Sequence, residues 1–195
     1  MEINSFLNSL HIAEKLKNTT RHSYTSGGRH ESVAEHTFRT TLMAYFIKDE
    51  FPDADIDKVI KMCLIHDLGE AFTGDIPSFE KTQADEENEK KQLYNFVKTL
   101  PEPFVTEMLA LYEEMEERKT LEAKIYKALD GLEAVISHNE ADISTWSDNE
   151  YELNLIYAED KCTFSQYFTE LRKILRVESE NKIKGENNEC QRNQS

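Results

Sequence analysis

The sequence predicts an all-α fold, and three observations predict it. Apolar residues recur at helical spacing in several separate stretches of the 195-residue chain. No stretch sustains the alternation of a strand, and no Rossmann or P-loop glycine pattern is present. The expectation is a bundle of about six to seven helices forming one domain over residues 1–177, followed by a disordered tail over 178–195.

Ile3, Phe6, Leu7, Leu10, Ile12, Ala13 and Leu16 carry the first helical pattern, which predicts an opening helix over 3–17. His11 reads as an ordinary residue of that helix. The segment from Asn18 to Glu31 is rich in Thr, Ser and Gly, and its turn residues predict no regular structure. It gathers Arg21, His22, Arg29 and His30 in an otherwise acidic chain. It reads either as a solvated connection or as an anion-binding loop, because guanidinium matches phosphate oxygens in a bidentate fork. Ser32-Val33-Ala34-Glu35 has the form of a capping box, which assigns Glu35 a structural role. His36 then falls at the start of a helix with Ala34, Phe38, Leu42, Tyr45 and Phe46 as its apolar positions.

The next helix starts at Asp53–Asp55 and carries Ile56, Val59, Ile60, Cys63 and Leu64 on one stripe. Further helical steps land on Asp67 and Glu70, two carboxylates where the pattern asks for core. Buried carboxylates are normally paired or metal-bound, because unpaired charge is costly away from water. No Lys or Arg follows within this helix, His66 adjoins Asp67, and Glu70 lies four residues beyond His66. Imidazole with carboxylate is the donor set of hydrolytic divalent-metal sites. Gly74-Asp75-Ile76-Pro77 closes the segment in a turn, where Asp75 is either a turn former or a proton-handling group.

Asp85–Lys91 reads as a solvated helix face without chemistry. Two helices follow, over about 101–115 and 119–138. The second has Leu121, Ile125, Ala128, Leu129, Leu132, Val135 and Ile136 on its stripe, so periodicity alone places Asp130 on the exposed side. His138 reads as a helix end. A last long helix is predicted over 149–175, with Tyr151, Leu153, Leu155, Ile156, Phe164, Tyr167, Phe168, Leu171 and Ile174.

The formal net charge of -15 makes the chain a poor partner for nucleic acid polymers, whose affinity comes mainly from Lys and Arg on phosphates. No apolar run approaches a membrane span, and Met1–Phe6 lacks the basic start and apolar block of a secretion signal. Cys63, Cys162 and Cys190 are widely spaced, odd in number and without CxxC, which points to free thiols in a reducing cytoplasm.

Glu31-Ser32-Val33-Ala34-Glu35-His36, His66-Asp67-x-x-Glu70 with Gly74-Asp75-Ile76-Pro77, and Ala128-Leu129-Asp130-x-Leu132-Glu133 occur in that order. Together they resemble the HD-domain metal-dependent phosphohydrolases, and within them the 5′-deoxynucleotidase branch of YfbR-like and HD-domain-containing protein 2-like enzymes. The resemblance implies an HD-domain helical bundle with one divalent cation held by His36, His66, Asp67 and Asp130. It implies that Glu70 positions or deprotonates water and that Asp75 serves the leaving oxygen or sugar. It implies that Arg21 binds phosphate. The following family position is usually aromatic and excludes the ribose 2′-hydroxyl. Here it is His22, a departure that leaves deoxyribose selectivity open.

The mixed donor set suits octahedral Mn²⁺, Co²⁺, Fe²⁺ or Mg²⁺ more than a closed zinc site, although Zn²⁺ or Ni²⁺ would also be accepted by these ligands. The implied substrate is a nucleoside 5′-monophosphate and the implied assembly a homodimer. The alternatives are hydrolysis of a nucleoside triphosphate, (p)ppGpp or a cyclic nucleotide, or a regulatory module without turnover.

Overall fold

The computed structural model describes residues 1–192, with side chains to Gly185. It is predominantly α-helical, as the periodicities require. Cα packing divides it into two compact units, one of residues 1–22 and 31–126, the other of residues 23–30 and 127–192.

The first unit opens with α1 (Ile3–Lys15). The chain then enters β1 (Thr20–Tyr24) and β2 (His30–Ser32), which pair as a two-stranded sheet. This corrects the expectation of an irregular loop. Thr and Tyr favour extended backbone, and Gly28, at φ 80°, supplies the left-handed position that the connecting turn needs. Ser32 caps α2 (Val33–Phe46) through the expected box. Its hydroxyl accepts from Glu35 N at 3.3 Å, and Glu35 Oε2 accepts from Ser32 N at 2.9 Å.

Asp55 caps α3 (Ile56–Ile65) by accepting from Lys58 N at 3.0 Å, and the helix buries Val59, Met62 and Cys63. Here the structure departs from the sequence expectation again. The helix ends at Ile65, His66–Gly69 form turns, and Glu70 opens the short α4 (Glu70–Thr73), closed by Gly74 at φ 80°. The stripe from Ile56 therefore reaches Asp67 and Glu70 through tighter turns, in which Leu68 N donates to Ile65 O at 3.1 Å and Glu70 N to Asp67 O at 3.0 Å. Leu16, Val33 and Ala71 form a buried apolar cluster, with Ile12, Ala34, Leu68 and Phe72 packed on it. This cluster sets α1, α2 and α4 around the His66–Glu70 segment. Then come α5 (Gln83–Val97) and α6 (Phe104–Glu117), the latter burying Leu111, Tyr112 and Met115. The first turns of α7 (Leu121–Glu140) complete this unit.

The second unit holds the remainder of α7, then α8 (Glu150–Ile156), α9 (Glu159–Cys162) and α10 (Gln166–Arg192). The single helix expected over 149–175 is thus broken twice. Ala158 adopts φ 64°, which a continuous helix cannot accommodate. Arg172 stabilises the break by donating from Nε to Tyr157 O at 2.7 Å and from Nη2 to Asn154 O at 2.8 Å, serving carbonyls that the interrupted helix leaves open. Close packing explains a glycine inside α7. A Cβ at Gly131 would lie 2.6 Å from the Ala158 Cβ.

The segment from Glu178, expected to be disordered, continues α10. Ser179 is buried, donates to Asn139 Oδ1 at 2.7 Å and accepts from Asn154 Nδ2 at 3.0 Å. Lys182 donates to Asn139 O at 3.1 Å. A polar network therefore anchors a stretch whose composition offers little apolar burial. Residues 193–195 of the expected tail lie outside the described residues.

Candidate metal centre

His36 lies in the first turn of α2 and is fully buried. His66 and Asp67 follow the last residue of α3. Although 30 residues separate the two histidines, their Nε2 atoms face each other at 3.2 Å. Asp67 Oδ2 stands 3.1 Å from His66 Nε2 and 3.6 Å from His36 Nε2. The other ring nitrogen of His66, Nδ1, is 2.7 Å from the Cys63 carbonyl. That oxygen only accepts, so Nδ1 carries the proton and Nε2 presents its lone pair to the cluster.

These atoms pass a geometric test for a divalent cation. With metal–nitrogen bonds near 2.1 Å, neighbouring ligand atoms lie about 3.0 Å apart in an octahedron and about 3.4 Å apart in a tetrahedron. The observed separations of 3.1, 3.2 and 3.6 Å fall around those edges. Three donors of suitable chemistry therefore converge on one point.

Electrostatics favour the same conclusion. Glu70 is buried, and its Oε2 has no hydrogen-bond partner among the described residues. Burial pushes the Glu70 carboxyl well above its ordinary range, the charges of Asp67 and Asp75 push it further, and Arg21 opposes them. The Asp75 carboxyl is also raised, again by burial first, with Asp67 adding to the shift and Arg21, His22 and His36 opposing it. Three carboxylates crowded into a sheltered space raise one another's pKa, and a divalent cation would suit the negative charge gathered there.

Arg21 brings a cation to Asp67 from outside the helix. From β1 it places Nη1 3.8 Å from Asp67 Oδ2 and Nε 3.3 Å from Glu31 Oε2. The structure thus brings Arg21 together with His36, His66 and Asp67, and places Glu70 and Asp75 within electrostatic reach of them. His22, next along β1, meets the edge of Phe79 with ring centroids 5.5 Å apart. Asp130 lies on the part of α7 in the second unit, where its Oδ2 accepts from Lys127 Nζ at 2.7 Å. Its side chain is only 18% exposed, against the exposure that periodicity predicts.

Sequence reasoning missed the supports. Buried Glu31 orients Arg21, and the available signal was its place in a second strand facing the first. Tyr112 donates its hydroxyl to the Ile65 carbonyl at 2.7 Å and so pins the end of α3 beside His66. Burial holds that phenol well above its ordinary pKa, so it remains a donor. Tyr126 stands edge-on to the His66 ring at 5.9 Å. No local pattern marks Tyr112 or Tyr126, because their role depends on which helices pack together.

Comparison with known proteins places this geometry. Residues 13–172 match the family model described as HD domain. Human 5′-deoxynucleotidase HDDC2 is 31% identical over 140 residues, covering 70% of this chain and 68% of that protein. The 5′-deoxynucleotidase HDDC2 of Dictyostelium discoideum is 31% identical over 144 residues, covering 69% and 76%. Among solved structures, a predicted metal-dependent phosphohydrolase of Magnetospirillum magnetotacticum MS-1 superposes with a TM-score of 0.77 at 26% identity, covering 92% of this chain and 93% of that one. A match over that span, with relatives at that identity, leads to one conclusion: the chain belongs to the HD-domain family.

Proposed function

We propose that this chain is a metal-dependent phosphohydrolase that converts nucleoside 5′-monophosphates to nucleoside and phosphate. The observation that carries the reading is the convergence of His36 Nε2, His66 Nε2 and Asp67 Oδ2 beside a buried, protonatable Glu70. The family resemblance adds Asp130 as fourth ligand and residues 1–177 as one HD domain. A divalent cation held there, of the Mn²⁺, Co²⁺, Fe²⁺ or Mg²⁺ kind, would acidify water and neutralise phosphoryl oxygens.

The protein side chains supply the rest. Arg21, oriented by Glu31, offers its guanidinium to the phosphate and balances charge as the phosphorus–oxygen bond breaks. Glu70 receives the proton of the attacking water, a task favoured by the burial that raises its carboxyl above the ordinary range. Asp75 serves the departing sugar oxygen, which must leave with a proton, and its carboxyl is raised as a proton carrier requires. His22 and Phe79 border the sugar.

The names of the curated relatives support a deoxyribonucleotide substrate. Cys63 and Cys162, buried and in no disulfide, support a reducing cytoplasmic setting. Among the described residues, no helix is long and apolar enough to cross a membrane. Homodimerisation draws support from α2, whose Phe38, Leu42, Tyr45 and Phe46 form an exposed apolar face.

A phosphate-release screen of ribo- and deoxyribonucleotides with Mn²⁺, Co²⁺ and Mg²⁺ tests the reading. Inorganic phosphate from monophosphates is expected. Release of pyrophosphate or triphosphate would move the substrate to another nucleotide class. Silence across all metals and substrates would leave a regulatory module.

A further inference from the structure

The loop after Asp75 carries a lysine that this chemistry does not use. Pro77 O accepts from Glu80 N at 2.8 Å and from Lys81 N at 3.0 Å, which turns the chain back after Ile76. The Lys81 ammonium donates to Glu89 Oε2 at 2.6 Å, and both side chains are four-fifths covered or more. Glu89 in turn lies on the turn between Asp67 and Glu70. A Cβ at Gly69 would stand 2.8 Å from Glu89 Cγ and 3.0 Å from Oε1. Gly69 therefore admits the α5 carboxylate to the backbone of the metal-centre turn, and that carboxylate carries the ammonium with it.

Lys81 is charged in this position. Burial works against its charge, but the hydrogen bond and charge of Glu89, with Glu70 and Asp67 beyond, hold its pKa above the ordinary 10.5. An ammonium has three donors, and the bond to Glu89 occupies one. In a chain of net charge -15, a largely covered cation within reach of Glu70 and Asp67 stands where an incoming phosphate needs neutralising.

Resting on the phosphohydrolase reading, we propose that Lys81 is a phosphate-binding residue of this site: Glu89 holds its ammonium against the Asp67–Glu70 turn, where it takes a phosphoryl oxygen alongside Arg21. The rival account is a latch, in which the Lys81–Glu89 pair only ties the loop to α5. The two accounts differ in symmetry. A latch is broken equally by losing either partner, whereas a phosphate ligand is lost only with the lysine.

The test is calorimetric titration of inorganic phosphate into the Mn²⁺-loaded full chain, for the wild type, Lys81→Met, Lys81→Arg and Glu89→Gln. We expect Lys81→Met to weaken phosphate binding about tenfold or more, as loss of a charged hydrogen bond does. We expect Lys81→Arg to recover most of that loss and Glu89→Gln to cost clearly less than Lys81→Met. Equal losses in Lys81→Met and Glu89→Gln, or unchanged binding in Lys81→Met, would overturn the proposal. Absence of phosphate binding by the loaded wild type would overturn it as well. Because this readout needs no turnover, phosphate binding without nucleotide hydrolysis would sink the nucleotidase reading and leave Lys81 in place. Thermal melts of each metal-free variant verify folding.

Discussion

Replacing Asp67 by alanine should act in opposite ways on the metal-free and the metal-loaded protein. Without a cation, Asp67 lies 3.8 Å from Arg21 but adds to the negative charge felt by buried Glu70 and Asp75. Removing it loses an attraction and relieves two repulsions, so the net change should stay within about 1 kcal/mol. With a cation, it removes the anionic member of a three-donor cluster whose edges are 3.1 to 3.6 Å. Outer-shell partners alone change metal affinity 10–100-fold, so loss of a direct ligand should cost at least about 100-fold.

At a Mn²⁺ concentration of about 100 Kd, the wild type gains roughly 2.7 kcal/mol. That raises Tm by about 5–10 °C for a chain of this size. For Asp67→Ala the same concentration only equals the weakened Kd, and the gain falls to roughly 0.4 kcal/mol, about 1 °C. Scanning calorimetry on chelator-treated protein, with and without Mn²⁺, reads both limbs. A full metal-induced rise in Asp67→Ala would refute the ligand assignment. Collapse of the chelated variant would instead make Asp67 a structural carboxylate.

Other outcomes follow from the same coordinates. Arg21→Ala should raise KM for phosphomonoesters about tenfold or more in steady-state assays while the Mn²⁺-induced Tm rise persists, since Arg21 is not a metal ligand. Glu70→Gln should lower kcat by about 10²–10⁴. It should also change the pH dependence of stability in the chelated protein. The folded Glu70 carboxyl is raised above 4.5, so the native state binds its proton more tightly than the unfolded chain. Wild-type stability should be fullest below that value and fall as pH rises towards the folded pKa, by about 1.4 kcal/mol for each tenfold gain in proton affinity. The Gln variant should melt higher than wild type at neutral pH and no higher near pH 4, as measured by denaturation across pH. Gly131→Ala should lose stability, because the 2.6 Å approach to Ala158 Cβ costs about 1–3 kcal/mol against about 1 kcal/mol gained in helix propensity. Adding Ala158→Gly should restore most of the loss in a double-mutant cycle. Phe38→Glu with Phe46→Glu should shift a dimer to monomer in light scattering without lowering metal affinity.

Local chemistry determined much of this protein from sequence alone. Apolar spacing wrote α1, α2, α3 and α7 into the chain, because the helical period is short; in α3 and α7 that face is buried, whereas in α1 and α2 most of it stays exposed. The Ser32–Glu35 box was legible because both of its hydrogen bonds close within four residues. Asp67 and Glu70 stood out because charge on an apolar stripe demands a partner. Tertiary structure alone decided what lies around them. The 3.2 Å meeting of His36 and His66, the arrival of Arg21 from a strand and the support of Glu31 and Tyr112 join residues far apart in sequence. The break at Ala158 was invisible to periodicity, since its left-handed backbone is held by Arg172 from another helix. The persistence of α10 beyond Glu178 was hidden for a related reason, because Ser179 and Lys182 anchor it through polar bonds to Asn139 and Asn154, contacts that hydropathy does not register. A sequence pattern reports what each residue prefers beside its neighbours, whereas a site depends on which distant surfaces burial brings together.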